Sequence, residues 1–246
     1  MNTPSDLSAL HARLQGEGFA FVAAETMNGL LDDPRSLADW DAFADSWNDL
    51  APDTYLAAKG RKRRRRYATF EIGADGRITR NPPQPHVQTV QYNPLQGGIE
   101  RWFEPIQPPI TDGPSFRRVL AFSHTLFGTL APRVAHWHVE VHQFRIEARL
   151  GEAGEPTPEG VHRDGVDYVL VLLIERTNVE SGVTTIHDGN GDVLGSFTLT
   201  HTLDAAVVDD AKVSHGVTAV TPLDPAKPAH RDVLVVTFKS APYPNA

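Results

Sequence analysis

The chain contains no cysteine. That excludes disulfides, thiolate metal sites, iron–sulfur clusters and cysteine nucleophiles, and leaves any metal to His, Asp or Glu. No stretch approaches the ~20 apolar residues that a membrane helix needs. The opening MNTPSDLSALHARLQGEGFAFV lacks a basic region followed by an apolar run, so no signal peptide and a cytoplasmic location are expected. Positive charge is in deficit. With 23 Lys and Arg against 31 Asp and Glu, the net charge of -8 disfavours a general nucleic-acid binder. G-x-S-x-G, P-loop and G-x-G-x-x-G segments are missing too, which leaves hydrolase, NTPase and dinucleotide-binding functions without a motif.

What is present is ordinary globular composition, 40% hydrophobic and 22% charged over 246 residues. A single domain over 1–246 is expected, with helical support in 1–60 and a barrel core in 137–240. Leu7, Leu10 and Leu14 share one helical face, and Phe19 to Ala23 reads as a short strand. Leu37, Trp40, Phe43 and Trp47 predict a helix over Pro34 to Leu50, with a further helix over Ser115 to Leu130. The RKRRRR run at 61–66 reads as a strand, with one set of arginines in solvent and the other near acidic groups. The proline- and glycine-rich stretch 81–114 reads as loops around a core. From Trp137 onward, short runs rich in Val, Ile, Thr and Phe alternate with turns. Helices first and strands after give a mainly β or α+β class, and seven or so short strands suggest a barrel or sandwich.

Three residues stand out chemically. In His162-Arg163-Asp164 an extended backbone sends residues 162 and 164 to one side and Arg163 to the other. One imidazole and one carboxylate then converge. Two histidines and a carboxylate on one face of an octahedral iron(II) leave positions open for substrates. His215 supplies the second imidazole, because in KVSHGVTAV it shares a strand face with Val213, Val217 and Ala219. Arg231 opens the strand RDVLVVTFK in line with Val233, Val235 and Thr237, and a buried arginine needs an anion. An acid that chelates metal at one end and carries a carboxylate at the other would join the two features, and 2-oxoglutarate is such an acid. On these residues alone, a metal-binding barrel without oxygenase activity (a cupin-type isomerase or ligand sensor) stays open. So does an interaction protein using the RKRRRR run. His136, His138 and His142 read as surface or structural histidines, being too far apart along a strand to chelate one ion easily.

The segments YNPLQGGIERWFEP (92–105), HQFRIEA (142–148), PTPEGVHRDGVDYV (156–169), DDAKVSHGVTAV (209–220) and RDVLVVTF (231–238) resemble the bacterial 2OG-Fe dioxygenase family. That family includes L-isoleucine dioxygenase, related free-amino-acid hydroxylases and biofilm-stress-motility type proteins. The resemblance spans roughly residues 60 to 240. It implies a double-stranded β-helix, a jelly-roll or cupin-like barrel, with flanking helices. It implies iron(II) on His162, Asp164 and His215, 2-oxoglutarate on Arg231, and hydroxylation of a free amino acid or similar small molecule with release of succinate. Gln143, Arg145 and Tyr92 are candidate substrate residues in the same reading. The expected partners are the small-molecule substrate, 2-oxoglutarate and dioxygen, with a homodimer left open and neither nucleic acid nor membrane involved. One departure is Ser181-Gly182, where relatives often carry Gly-Gly.

Overall fold

The computed structural model describes residues 4–33, 36–57, 62–93 and 95–240. The N-terminal part holds α1 (Pro4–Glu17), β1 (Phe19–Val22), α2 (Ala24–Leu31), α3 (Trp40–Asp45), β2 (Ala51–Pro52) and α4 (Thr54–Ala57). The arginine-rich strand β3 (Arg63–Gly73), β4 (Ile78–Arg80), α5 (Pro108–Thr111) and α6 (Pro114–Leu130) follow. The remaining strands are β5 (His136–Ala148), β6 (Tyr168–Thr177), β7 (Val179–Ser181), β8 (Val183–His187), β9 (Val193–Thr198), β10 (Ala205–Asp209), β11 (Ser214–Val217), β12 (Val220–Pro222) and β13 (Ala229–Ser240).

A large antiparallel sheet runs β1-β10-β6-β13-β5-β3-β2, with β4 on β3. Facing it are the smaller β11-β8-β9 and β12-β7 sheets. This is the double-stranded β-helix architecture, with antiparallel sheets that face each other rather than close into a continuous barrel. Strand alternation gives the large sheet two buried faces. Phe70, Val139, Val141, Leu234, Val236 and Phe238 point into a helical layer that includes Leu14, Met27, Phe43, Trp47, Phe116 and Leu120. The opposite face, with Phe144, Ile146, Val171, Val233 and Val235, looks toward the small sheets. Proline at its first turn and buried Phe116, Val119, Leu120, Ser123, Leu126 and Phe127 at helical spacing explain α6 as the central support.

The predicted helix over 34–50 is shorter than expected. Residues 34 and 35 lie outside the described residues, and α3 gives way to a 3₁₀ turn at Ser46–Asp49. The Ser46 hydroxyl donates to the Phe43 carbonyl at 2.6 Å, a side-chain bond that competes with the α-helical ladder. Phe43 and Trp47 are buried all the same. In the arginine run, Arg63 and Arg65 face Asp53, while Arg64 and Arg66 meet Glu147 and Asp49. Arg61 lies outside the described residues. Among the described residues no helix is long and apolar enough to cross a membrane.

Candidate active site

Between the sheets lies a cavity of about 300 Å³. The valine-rich face of the large sheet forms one wall, and loops carrying Gln88, Tyr92, Arg101 and Glu159 form another. His162, Asp164 and His215 line it. Their positions follow from backbone pairing. His162 and His215 form an isolated antiparallel bridge in which each backbone N–H donates to the other's carbonyl at 2.9 Å. Directly opposed residues present their side chains on the same face, and the two imidazole centroids are 4.7 Å apart. Asp164 returns to that face two residues later. Its Oδ1 lies 3.5 Å from His162 Nε2 and its Oδ2 lies 3.7 Å from His215 Nε2. One ligand atom from each residue falls within 4.8 Å of the others. Arg163 turns aside as expected and donates to the carbonyls of Asp210 and Ala211.

The donor set suits a divalent cation. His162 Nδ1 lies 3.0 Å from the Gly160 carbonyl, which fixes Nδ1 as a donor and turns Nε2 toward Asp164, where a divalent cation would replace the Nε2 proton. Burial disfavours a charged His162, but Asp164, Glu159 and the Gly160 carbonyl outweigh it and raise its pKa to about 9. Asp164 is half-buried, and although desolvation favours its neutral form, the two histidines hold its carboxyl down at about 2. Burial keeps His215 neutral, near 4, with its Nδ1 lacking a partner. Together they form a pocket of anionic and lone-pair donors that favours positive charge.

Asp210 keeps this loop in place. Its carboxylate accepts backbone N–H groups from Asp164, Gly165 and Val166 at 2.9, 2.8 and 3.2 Å. Burial and the neighbouring Asp164 raise its pKa to about 6 against those three hydrogen bonds. The sequence signal was an Asp in the turn before His215, which pattern alone did not single out. Gly165 has φ +79°, and a Cβ there would lie 2.5 Å from the Tyr92 ring. Only glycine lets Tyr92 press against the backbone beside Asp164.

Arg231 is 2% exposed and lines the same cavity. Among the described residues no carboxylate lies within ion-pair distance of it, and its Nε is buried without a partner. Its cross-strand neighbour on β6 is Arg176, a second guanidinium. Like charges set opposite each other are destabilising. Burial and that neighbour lower the Arg231 pKa to about 10, with Asp232 opposing. A buried cation with these neighbours is poised for an anion. Gly182 adjoins it, its hypothetical Cβ 3.8 Å from Arg231 Cδ. Ser181 there holds φ 64°, the left-handed region that glycine takes most readily.

Two expected substrate residues are corrected. Gln143 and Arg145 share the face of Val139 and Val141, and that face looks into the helical layer, not the cavity. Gln143 donates to Ser46 Oγ at 2.8 Å. Arg145 grips Asp232 with bonds of 2.9 and 2.6 Å. Arg145→Ala should therefore cost about 3–5 kcal/mol by stranding the fully buried Asp232 carboxylate. Urea denaturation checks this, with 2-oxoglutarate affinity expected to stay within a few-fold for the folded fraction. Tyr92 does line the cavity.

Of the two alternatives for the β5 histidines, surface or structural, His142 takes the structural one. His142 is 4% exposed and faces the cavity between Tyr67 and Phe144 rather than solvent. His86, Glu140 and His142 form a second cluster with ligand-like spacing. Arg65 Nη2 lies 2.6 Å from His142 Nδ1, and a guanidinium can only donate, so that lone pair is used. Burial and then Arg65 push the His142 pKa well down. In that neutral ring Nε2 carries the proton, so this cluster is a hydrogen-bond network and not a metal site. Tyr67 completes it, donating to Glu140 at 2.7 Å.

Comparison with known proteins points to one family. The 2OG-Fe dioxygenase family model matches residues 44–237. The chain is 28% identical over 237 residues to the 3(1)-hydroxy-L-isoleucine 4-dioxygenase of Pantoea ananatis, covering 92% of this chain and 93% of that protein. Among solved structures it is similar to a bsmA homolog from Methylobium petroleophilum, with TM-score 0.87, 38% identity, and 96% and 93% of the two chains covered. IDO from Bacillus thuringiensis shares the fold, with TM-score 0.78 at 18% identity, covering 96% of this chain and all of that one.

Proposed function

The chain belongs to the 2OG-Fe dioxygenase family, whose members use iron(II) and 2-oxoglutarate, and on that premise we propose that it hydroxylates a free L-amino acid or similar small molecule at a centre formed by His162, Asp164 and His215. The observation that carries this reading is the convergence of Asp164 on both imidazole Nε2 atoms within one cavity that also holds an unpaired arginine. The amino-acid part is supported by the Pantoea relative, whose substrate is a hydroxylated isoleucine.

Iron(II), when bound, supplies the oxidative chemistry, coupling 2-oxoglutarate decarboxylation and dioxygen consumption to C–H hydroxylation. The chain's own groups bind and orient. His162 and His215 offer Nε2, with His162 aimed by its bond to Gly160. Asp164 offers the carboxylate, and Asp210 fixes its backbone. Arg231 would hold the far carboxylate of 2-oxoglutarate, an anion its guanidinium is suited to bind. Val171, Val208, Val217, Val233 and Val235 line the cavity with apolar surface, which strengthens the Arg231–carboxylate contact by excluding water. No side chain is needed as a general base. A cytoplasmic setting suits this reading, because a reducing compartment supplies iron as iron(II).

The test is succinate formation by anaerobically prepared protein given iron(II), 2-oxoglutarate and then air, with and without each of the twenty L-amino acids. One or a few amino acids should raise succinate well above the uncoupled rate and emerge heavier by one oxygen. Failure of every amino acid to do so would remove the amino-acid reading.

A further inference from the structure

Beyond the groups assigned above, the cavity holds two opposite charges that do not pair with each other. Arg101 is 2% exposed. Its Nη1 donates to Gln96 Oε1 at 2.8 Å and its Nη2 to Gln88 Oε1 at 2.7 Å. Its Nε is buried with no partner, and among the described residues no carboxylate lies within ion-pair distance. A buried guanidinium held only by neutral amides has its plane fixed but its charge uncompensated, a costly state unless an anion arrives. Two of its five N–H groups are engaged, which leaves donors for a carboxylate.

Glu159 lines the same cavity from the loop before His162. Its side chain is 14% exposed, and its one ion-pair contact among the described residues is His162 Nε2 at 3.3 Å. That atom is the one assigned to the metal. Once His162 Nε2 is engaged there, the Glu159 carboxylate faces the cavity in need of a cation. Three other charged groups nearby are already engaged. Arg63 is bonded to Asp53, Arg65 donates to His142, and Glu140 accepts from Tyr67. Burial and Arg63 push the Arg101 pKa down while Asp53, Glu159 and Glu140 hold it up, so the two loops sense each other's charge.

A free α-amino acid carries a carboxylate and an ammonium on adjoining atoms. We propose that Arg101 binds the α-carboxylate and Glu159 the α-ammonium of the substrate, so that the site selects zwitterionic free α-amino acids over N-acylated, peptide-bound, amidated or deaminated forms. The assignment rests on the amino-acid reading above. It gives a role to the YNPLQGGIERWFEP segment and to the glutamate of PEGVHRDG.

The test is anaerobic calorimetry on the protein holding iron(II) and 2-oxoglutarate. The probes are the best-binding L-amino acid of the twenty, its carboxamide and its 2-hydroxy-acid analogue. Wild-type protein should prefer the amino acid to both analogues by about 30-fold or more. Arg101→Gln should abolish the preference over the carboxamide while keeping that over the hydroxy acid. Glu159→Gln should do the reverse, and Arg101→Lys should restore part of the loss. Iron and 2-oxoglutarate binding should stay within a few-fold in all three, which separates recognition from misfolding. Should Arg101→Gln not fold, Arg101→Lys and Glu159→Gln carry the test. Wild-type binding of an amino acid without discrimination, or variants that weaken all probes equally, would overturn the assignment while leaving the amino-acid reading in place. No binding of any amino acid to wild type would overturn both.

Discussion

Arg231→Ala is expected to weaken 2-oxoglutarate binding by about 30-fold or more while leaving iron(II) affinity within a few-fold. The guanidinium is 2% exposed, has no carboxylate partner among the described residues, and sits beside Arg176. Its replacement removes a desolvated charge pair with the co-substrate without removing a metal ligand. It also relieves repulsion with Arg176, so the variant should be no less stable than wild type before ligand is added. Calorimetry with iron(II) and then 2-oxoglutarate separates the two affinities, and thermal melting reports the fold. Loss of iron affinity with 2-oxoglutarate binding intact would contradict the role given to Arg231.

The second large effect is at the metal centre. Asp164→Ala and His215→Ala should each reduce iron(II) affinity by at least about 100-fold, beyond what loss of an outer-shell partner produces, and bring succinate formation to background. The two should differ in stability. Asp164→Ala leaves the raised His162 pKa without its main support, so the ring returns toward neutrality. It also frees Asp210 from a repelling neighbour. His215→Ala empties a buried position on β11, but the backbone bridge to His162 is carried by main-chain atoms and survives. Circular dichroism should therefore show folded proteins in both cases. Retention of full iron affinity by either variant would show that the ion is held elsewhere.

The meeting of His162, Asp164 and His215 was legible because its geometry is local. H-x-D on extended backbone fixes two side chains to one side, and a lone histidine in an apolar stripe marks where the third must come from. The structure adds the reason they meet, a two-hydrogen-bond bridge between His162 and His215 that no spacing rule reveals. Arg231 was legible for a similar reason, being a charge on a valine-rich face. Gln143 and Arg145 misled because both faces of β5 are buried, so alternation separates the faces without saying which one is the cavity. For the same reason the surface and structural alternatives for His142 could not be separated from the sequence. The shortened second helix shows a weaker limit, since an apolar stripe continues through a 3₁₀ turn as well as through an α-helix. Arg101, Glu159 and Asp210 lie on loops, where no periodicity points and only tertiary contact brings them to the site.

One cavity is expected to hold iron on His162, Asp164 and His215, with 2-oxoglutarate reaching from it to Arg231. Crystals grown anaerobically with iron(II) and 2-oxoglutarate test it directly, through the anomalous signal of iron. A single strong peak is expected among the two Nε2 atoms and the Asp164 carboxylate, with the far carboxylate of the acid on Arg231. A peak at His86, Glu140 and His142 instead, or 2-oxoglutarate bound away from Arg231, would contradict it.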